Sequence, residues 1–242
     1  MNDQPVFEAQ YVERHSRLTT FFRLLLAIPH LIVVSVWAFV AFFAVVIAWF
    51  AIVITGRYPA GLYGFVAGFQ RYVTALYGYV GLLTDEYPPF SSDTSSYPVH
   101  LTIPPARTEY SRLKTLFRII LAIPVFIISY AMQIVWEIGV LIAWFVVVVI
   151  GKLPRGLHDM IVLGQSYQQR SGCYLLLLTE DWPPFLNPGA SLEGGGPTGS
   201  LPPAPTTSGA PPAPPAAPEA PGSWQPPASG SGGLSSGDPL DR

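Results

Sequence analysis

The chain has 242 residues, of which 50% are hydrophobic and only 12% charged. A soluble domain carries about a quarter charged residues, so an ordinary water-facing surface is excluded. The formal net charge is −2, and no basic stripe is interleaved with aromatics, which argues against nucleic acid as a ligand.

The N-terminal segment, residues 1–15, contains "PVFEAQYV", a short stretch of extended character. It lacks the basic-then-apolar pattern of a cleavable signal peptide, so the first hydrophobic segment is expected to act as its own insertion signal. Residues 16–90 then open with "SRLTTFFRLLLAIP". Proline cannot sit unstrained inside a helix, so Pro29 predicts a kink or break, with Arg17 and Arg23 snorkelling to lipid headgroups. From Leu24 to Thr55 the only ionisable side chain is His30. Runs of 18 or more apolar residues read as transmembrane helices, and Leu31 to Ile54 would cover about 36 Å at roughly 1.5 Å per residue. Gly56 and Pro59 close that span, and Gly61 to Leu83 reads as a return helix. The unit ends in "LLTDEYPPF".

Residues 91–110 form an inter-repeat loop in which Val99, Leu101 and Ile103 alternate with His100 and Thr102, the period of a strand. This stretch and "PVFEAQYV" are expected to pair as a small ribbon. Residues 111–186 repeat the first unit at an offset of 95 (111 − 16), without a gap from Ser16/Ser111 to Phe90/Phe185. "SRLTTFFRLLLAIP" answers "SRLKTLFRIILAIP", "GRYPAGL" answers "GKLPRGL", and "LLTDEYPPF" answers "LLTEDWPPF". Pro124 is the twin of Pro29, and Glu137 is the only charged side chain from Ile119 to Ile150. Residues 187–242 are rich in Pro, Gly and Ser, and this bias reads as a disordered tail with local polyproline II.

Charge placement orients the spans. If both return helices cross, Arg14, Arg17, Arg23, Arg107, Arg112, Lys114 and Arg118 share one side and Arg57, Lys152 and Arg155 the other, a positive-inside distribution. The expected fold is therefore all-α integral membrane. It would hold two tandem helical repeats, about four transmembrane helices with kinked entries, short surface strands and a Pro-rich tail. The expected location is the cell membrane, multi-pass, with both termini cytoplasmic.

In the repeated phrase, Tyr87, Phe90, Trp182 and Phe185 are expected to anchor at headgroup depth. The rival reading takes Thr84, Asp85, Glu86 and their twins as oxygen ligands for a cation, though no fixed ligand loop is visible. Glu137 is costly at bilayer depth and is a candidate site by default, with Arg71 and Arg170 as natural partners; its twin is Phe42. Gly61, Gly64, Gly68, Arg71, Ala75 and Gly78 share a helix face, a surface suited to close helix packing or a homo-oligomer. The alternative is a polar cleft between the return helices, lined by Gln70, Asp159, Gln165, Gln169 and Arg170. The four histidines have no metal-site spacing, Cys173 stands alone, and no nucleophile elbow or phosphate loop occurs. No cofactor, metal or catalytic residue is expected.

"FRLLLAIPH", "IAWFAIVITGRYPAGL" and "LLTDEYPPF" together resemble a bacterial membrane family classed only as a domain of unknown function, number 4389. The resemblance covers roughly residues 5–90 and 98–185 and excludes the tail. It implies a membrane protein and no activity, ligand or catalytic residue. The second copy departs from the first at "GKLPRGLHDM" and in its polar return helix.

The function expected from these features is a non-enzymatic integral membrane protein that assembles or recruits partners. The lipid bilayer and a protein bound by the Pro-rich tail are its expected partners. The alternative is a small solute, ion or proton carrier or channel using the polar intramembrane cleft.

Overall fold

In a computed structural model, residues 4–185 are described, and the tail expectation for 187–242 lies outside them. Two strands and five helices follow in order: β1 Val6–Ala9, α1 Arg17–Thr55, α2 Ala60–Val80, β2 Val99–Thr102, α3 Arg112–Leu116, α4 Arg118–Ile150 and α5 Arg155–Leu175.

Side-chain periodicity explains why α1 and α4 form and what they bury. On α1 the buried side chains are Thr20, Arg23, Ala27, His30, Ala41, Ala44, Ala48 and Ile52. Each has a buried twin 95 positions on, from Thr115 and Arg118 to Ala143 and Val147. Three- and four-residue steps place them on one stripe, which faces protein. Most of the other side chains between Leu18 and Ile54 are apolar and exposed, and so are most from Ile119 to Ile150, Glu137 being an exposed charge among them. Both helices are long and apolar enough to cross a membrane. Neither α2 nor α5 meets that measure among the described residues.

The entry helix does not end at Pro29. Instead α1 runs unbroken through it for 39 residues, and α4 runs through Pro124. Proline deprives the carbonyl four residues back, here Leu25, of its helical donor. In the first repeat the Tyr87 phenol donates to the Leu26 carbonyl at 3.2 Å, just ahead of the proline. The break in the second repeat falls earlier, at Phe117, between α3 and α4.

Both return helices stop in the same way. Leu82 has φ 61° and Leu177 φ 64°, left-handed values that leucine rarely adopts. Leu83 N–H reaches the Gly78 carbonyl at 3.0 Å, and Leu178 N–H the Cys173 carbonyl at 2.9 Å. This is the Schellman closure, with leucine in the position glycine usually holds. Both leucines are buried, and that burial holds the strained turn in place.

The two copies are arranged head to tail. Trp49 donates to the Thr115 carbonyl at 2.9 Å, and its twin Trp144 donates to the Thr20 carbonyl at 3.1 Å. The start of α1 therefore lies beside the end of α4, and the start of α3 beside the end of α1. Backbone bonds repeat the exchange: His15 N–H to Gly151 O, and Tyr110 N–H to Gly56 O. Swapping each residue with its twin maps these contacts onto one another, the signature of a pseudo-two-fold axis.

The expected ribbon forms on that same axis. β1 and β2 pair antiparallel, Val6 with Thr102 and Phe7 with Leu101. Phe7, Val99, Leu101 and Ile103 are buried, and the Glu8 carboxyl and His100 ring meet on the outward side at 2.8 Å. The ribbon packs on α2 and α5: a Cβ at Gly78 would meet the Val99 side chain at 2.5 Å.

Candidate functional site

The α2–α5 crossing is where the polar residues of the chain converge. Gln70 Nε2 donates to the Gln169 carbonyl at 3.2 Å and to Gln169 Oε1 at 2.8 Å. The twin of Gln70, Gln165, donates to the Thr74 carbonyl at 3.2 Å, and Thr74 Oγ1 donates to Gln169 Oε1 at 2.9 Å. Glutamine suits this position because its amide supplies donors and acceptors without a charge to desolvate. Next to the crossing is a cavity of about 210 Å³ lined by Gln70, Gln133, Trp136, Gln165, Gln168 and Gln169, with Tyr77 and Gly172 at its wall. Gln165 Oε1 and Trp136 Nε1 are buried without a partner beside Gly81, not in the open cavity. The glutamine amides that line the cavity carry both donors and acceptors, which suit a neutral polar molecule.

The expected cleft is thus present in part. Gln70, Gln165 and Gln169 come together, while Asp159 is exposed and bonded to its neighbour His158 at 3.2 Å. Arg170 is buried and donates to the Ser166 carbonyl at 3.0 Å and to Ser166 Oγ at 3.2 Å. Glu137 does not pair with Arg71 or Arg170. It is exposed on α4 and accepts from Gln133 at 2.9 Å, because i, i+4 spacing puts the two side by side. Gln168 Nε2 in turn donates to Gln133 Oε1 at 2.9 Å, so Glu137 lies at the end of an amide chain leading to the cavity. Trp136 and Gln133 were not singled out by sequence, since both sit in a nearly uninterrupted apolar run. The i, i+4 relation between Gln133 and Glu137 was the available signal.

The repeated phrase is a strap that locks each hairpin. Arg23 is buried rather than snorkelling. It donates to the Tyr79 and Thr84 carbonyls and to Asp85, closing the exposed C-terminal carbonyls of α2. Arg118 does the same in the second repeat, on the Tyr174 and Thr179 carbonyls, with its guanidinium 3.5 Å over the Tyr174 ring. Asp85 also accepts from His15 Nδ1 and from Ser16 N–H, each at 2.7 Å, while Glu180 accepts from Ser111 N–H at 2.6 Å. A carboxylate at a helix start satisfies free amides and complements the macrodipole. Burial alone would raise the Asp85 carboxyl, but the bonds from His15 and Ser16 and the Arg23 charge hold it below the usual range.

The aromatic residues of the strap lie half-exposed against their own hairpin. Phe90 stacks on His30 at 4.0 Å, Tyr87 meets Tyr79 edge-on at 5.8 Å, Trp182 meets Tyr174 at 5.9 Å and Phe185 meets Tyr167 at 6.1 Å. His30 bonds the Tyr72 hydroxyl at 2.6 Å. The small-residue face of α2 packs on loop and ribbon: Gly68 abuts Ser92 and Gly78 abuts Val99, while Gly61 and Gly64 face open space. No cluster of three or more His, Cys, Asp or Glu side chains suited to a metal occurs among the described residues.

Two tandem helical hairpins, joined by reciprocal contacts and carrying two long, exposed apolar helices, define a mostly helical duplicated protein with candidate membrane-spanning segments. The chain belongs to the family described as Domain of unknown function (DUF4389), which it matches in two tandem copies, residues 17–92 and 112–187. No curated protein and no solved structure gives a match.

Proposed function

We propose that the protein is a membrane-seated, non-catalytic module that assembles or recruits partners. The observation that carries this reading is the exposed apolar surface of α1 and α4, which runs from Leu18 to Ile54 and from Ile119 to Ile150. Water does not tolerate a patch of that extent on a monomer, and lipid does. The charged groups of the repeated phrase support a structural role, since Asp85 and Glu180 are engaged at helix starts. Recruitment rests on the sequence of residues 187–242, whose proline runs are of the kind that proline-binding grooves recognise. Alkaline carbonate extraction should leave the protein in the membrane pellet. Deleting residues 187–242 should keep it there while removing co-purifying proteins; an unchanged partner list overturns recruitment.

Four membrane crossings remain the finer expectation from the charge distribution. The head-to-tail packing of α1 and α4 does not favour it. Two crossings back by α2 and α5 would make α1 and α4 run parallel, whereas Trp49–Thr115 and Trp144–Thr20 pair them antiparallel.

A second reading is favoured by the cavity. Its glutamine amides suit binding or passage of a small neutral solute, with Glu137 at the end of the amide chain. Flux into proteoliposomes that falls on Glu137→Gln supports it; flux indifferent to that change removes it.

A further inference from the structure

The polar parts of the structure lie across the middle of the long helices, not only at their ends. Gly68 of α2 sits between the Trp37 ring, midway along α1, and the Ser92 side chain of the polar loop. Beyond it, Asp93 is exposed and accepts from the Ser95 N–H and hydroxyl. The ribbon, with Glu8 and His100 facing outward, covers α2 and α5 on the same pseudo-two-fold axis that relates α1 to α4. Were α1 to stand upright in a bilayer, this loop and the outward Glu8 and His100 would face hydrocarbon at mid-depth, where polar and ionisable groups are costly.

Length argues the same way. At about 1.5 Å per residue, the 39 residues of α1 reach about 58 Å and the 33 of α4 about 50 Å. The hydrocarbon layer is only about 30 Å thick. Apolar side chains are exposed along the full length of both helices, with no polar stretch to mark where either would emerge. Basic residues stand at both ends of the pair: Arg14 and Arg17 at one, with Lys152 bridged to Glu13 at 2.9 Å, and Arg57, Arg112 and Lys114 at the other. Upright helices would put these two sets on opposite sides of the membrane. Helices lying flat put both sets at one surface, where they meet anionic headgroups.

We infer that α1 and α4 lie in the plane of the membrane, their apolar faces embedded in one leaflet that contains anionic lipid, with α2, α5 and the ribbon on the water side. The pseudo-two-fold axis then runs along the membrane normal. Glu137, tied through Gln133 to Gln168 of α5, sits on the flank of α4 nearest the polar layer, at the rim and not the midplane. This inference rests on the membrane reading above and fixes its geometry.

Nitroxide labels on single-cysteine variants of full-length protein in phosphatidylcholine–phosphatidylglycerol vesicles test it. Leu25→Cys, Ile32→Cys, Val36→Cys, Phe43→Cys, Ile47→Cys and Ile54→Cys follow one exposed stripe of α1, and native Cys173 is buried. The expected result is one shallow depth for all six, about 5–10 Å below the headgroups. Depth greatest near Val36 and Phe43 and least at Leu25 and Ile54 would mean a crossing helix, overturning the inference and leaving the membrane reading intact. Labels in water at all six positions would overturn both. An impermeant maleimide on Arg14→Cys and Arg57→Cys gives an independent check: both should react from the same side, and reaction from opposite sides overturns the inference.

Discussion

The indole of Trp49 donates to the carbonyl of Thr115 at 2.9 Å, joining the end of the first long helix to the start of the second repeat. Thr115 lies in the five-residue α3, whose helical ladder is interrupted at Phe117, so the indole supplies a donor where the helix is shortest. Trp49→Phe should cost about 1 kcal/mol, the net worth of a typical hydrogen bond, and Trp144→Phe a similar amount. The two sites lie at opposite ends of the helix pair, so the double variant should show the sum. Thermal unfolding in detergent reads both; a double variant no less stable than either single one refutes independence.

Gly56 and Gly151 close the long helices with φ of 74° and 78°. A side chain there is strained by about 1–2 kcal/mol. An added Cβ would also lie 3.3 Å from Arg112 Nε at Gly56, and 3.0 Å from Arg17 Nε at Gly151. Both alanine variants should lower stability by at least that strain, Gly151→Ala the more. Denaturant midpoints of the two variants give the ranking.

Two helical glycines should respond in opposite directions. At Gly64 of α2 nothing lies within 4 Å of an added Cβ, so Gly64→Ala should stabilise by about 0.5–1 kcal/mol through helix propensity. At Gly164 of α5 the Cβ would meet Trp136 Cβ at 2.8 Å and the Met132 carbonyl at 3.0 Å, atoms that cannot swing away. Gly164→Ala should cost about 1–3 kcal/mol by forcing α4 and α5 apart. Equal melting temperatures for the two variants would contradict this packing.

The Asp85 carboxyl gives stability a defined acid limb. Its folded pKa lies below its ordinary value, so the unfolded chain binds the proton more readily. The stabilisation is present above the unfolded pKa of about 3.9 and is lost as pH falls through the lower folded value. Unfolding midpoints should fall as pH drops below about 4. Asp85→Asn should be less stable at neutral pH, with a flatter acid limb. An acid limb unchanged in the variant would assign the effect to another group.

Much of this architecture is legible in the sequence because it is periodic. The 95-residue offset, the alternation of Val99, Leu101 and Ile103, and the apolar runs each follow a local rule that the fold obeys. At Pro29 a local rule allows a kink or a break, and α1 runs through it without a break. Arg23 misleads: near an apolar run it resembles a snorkelling side chain, but its partners are carbonyls at the end of another helix. The cavity is half-legible. Gln70, Gln165 and Gln169 stand out in return helices, whereas Trp136 and Gln133 take their meaning from α5 packing across them.

The reciprocal contacts between copies carry an implication for how such a chain could begin. Trp49 reaches the second repeat as Trp144 reaches the first, and among the described residues the two strands pair with each other. An ancestor holding one copy would have left one strand unpaired and one Trp without its carbonyl. It could satisfy both by associating with an identical molecule, as isologous interfaces do. The present chain reads as that homodimer fused through residues 91–110. Once fused, the halves were free to diverge, and Glu137 opposite Phe42 is where that freedom shows.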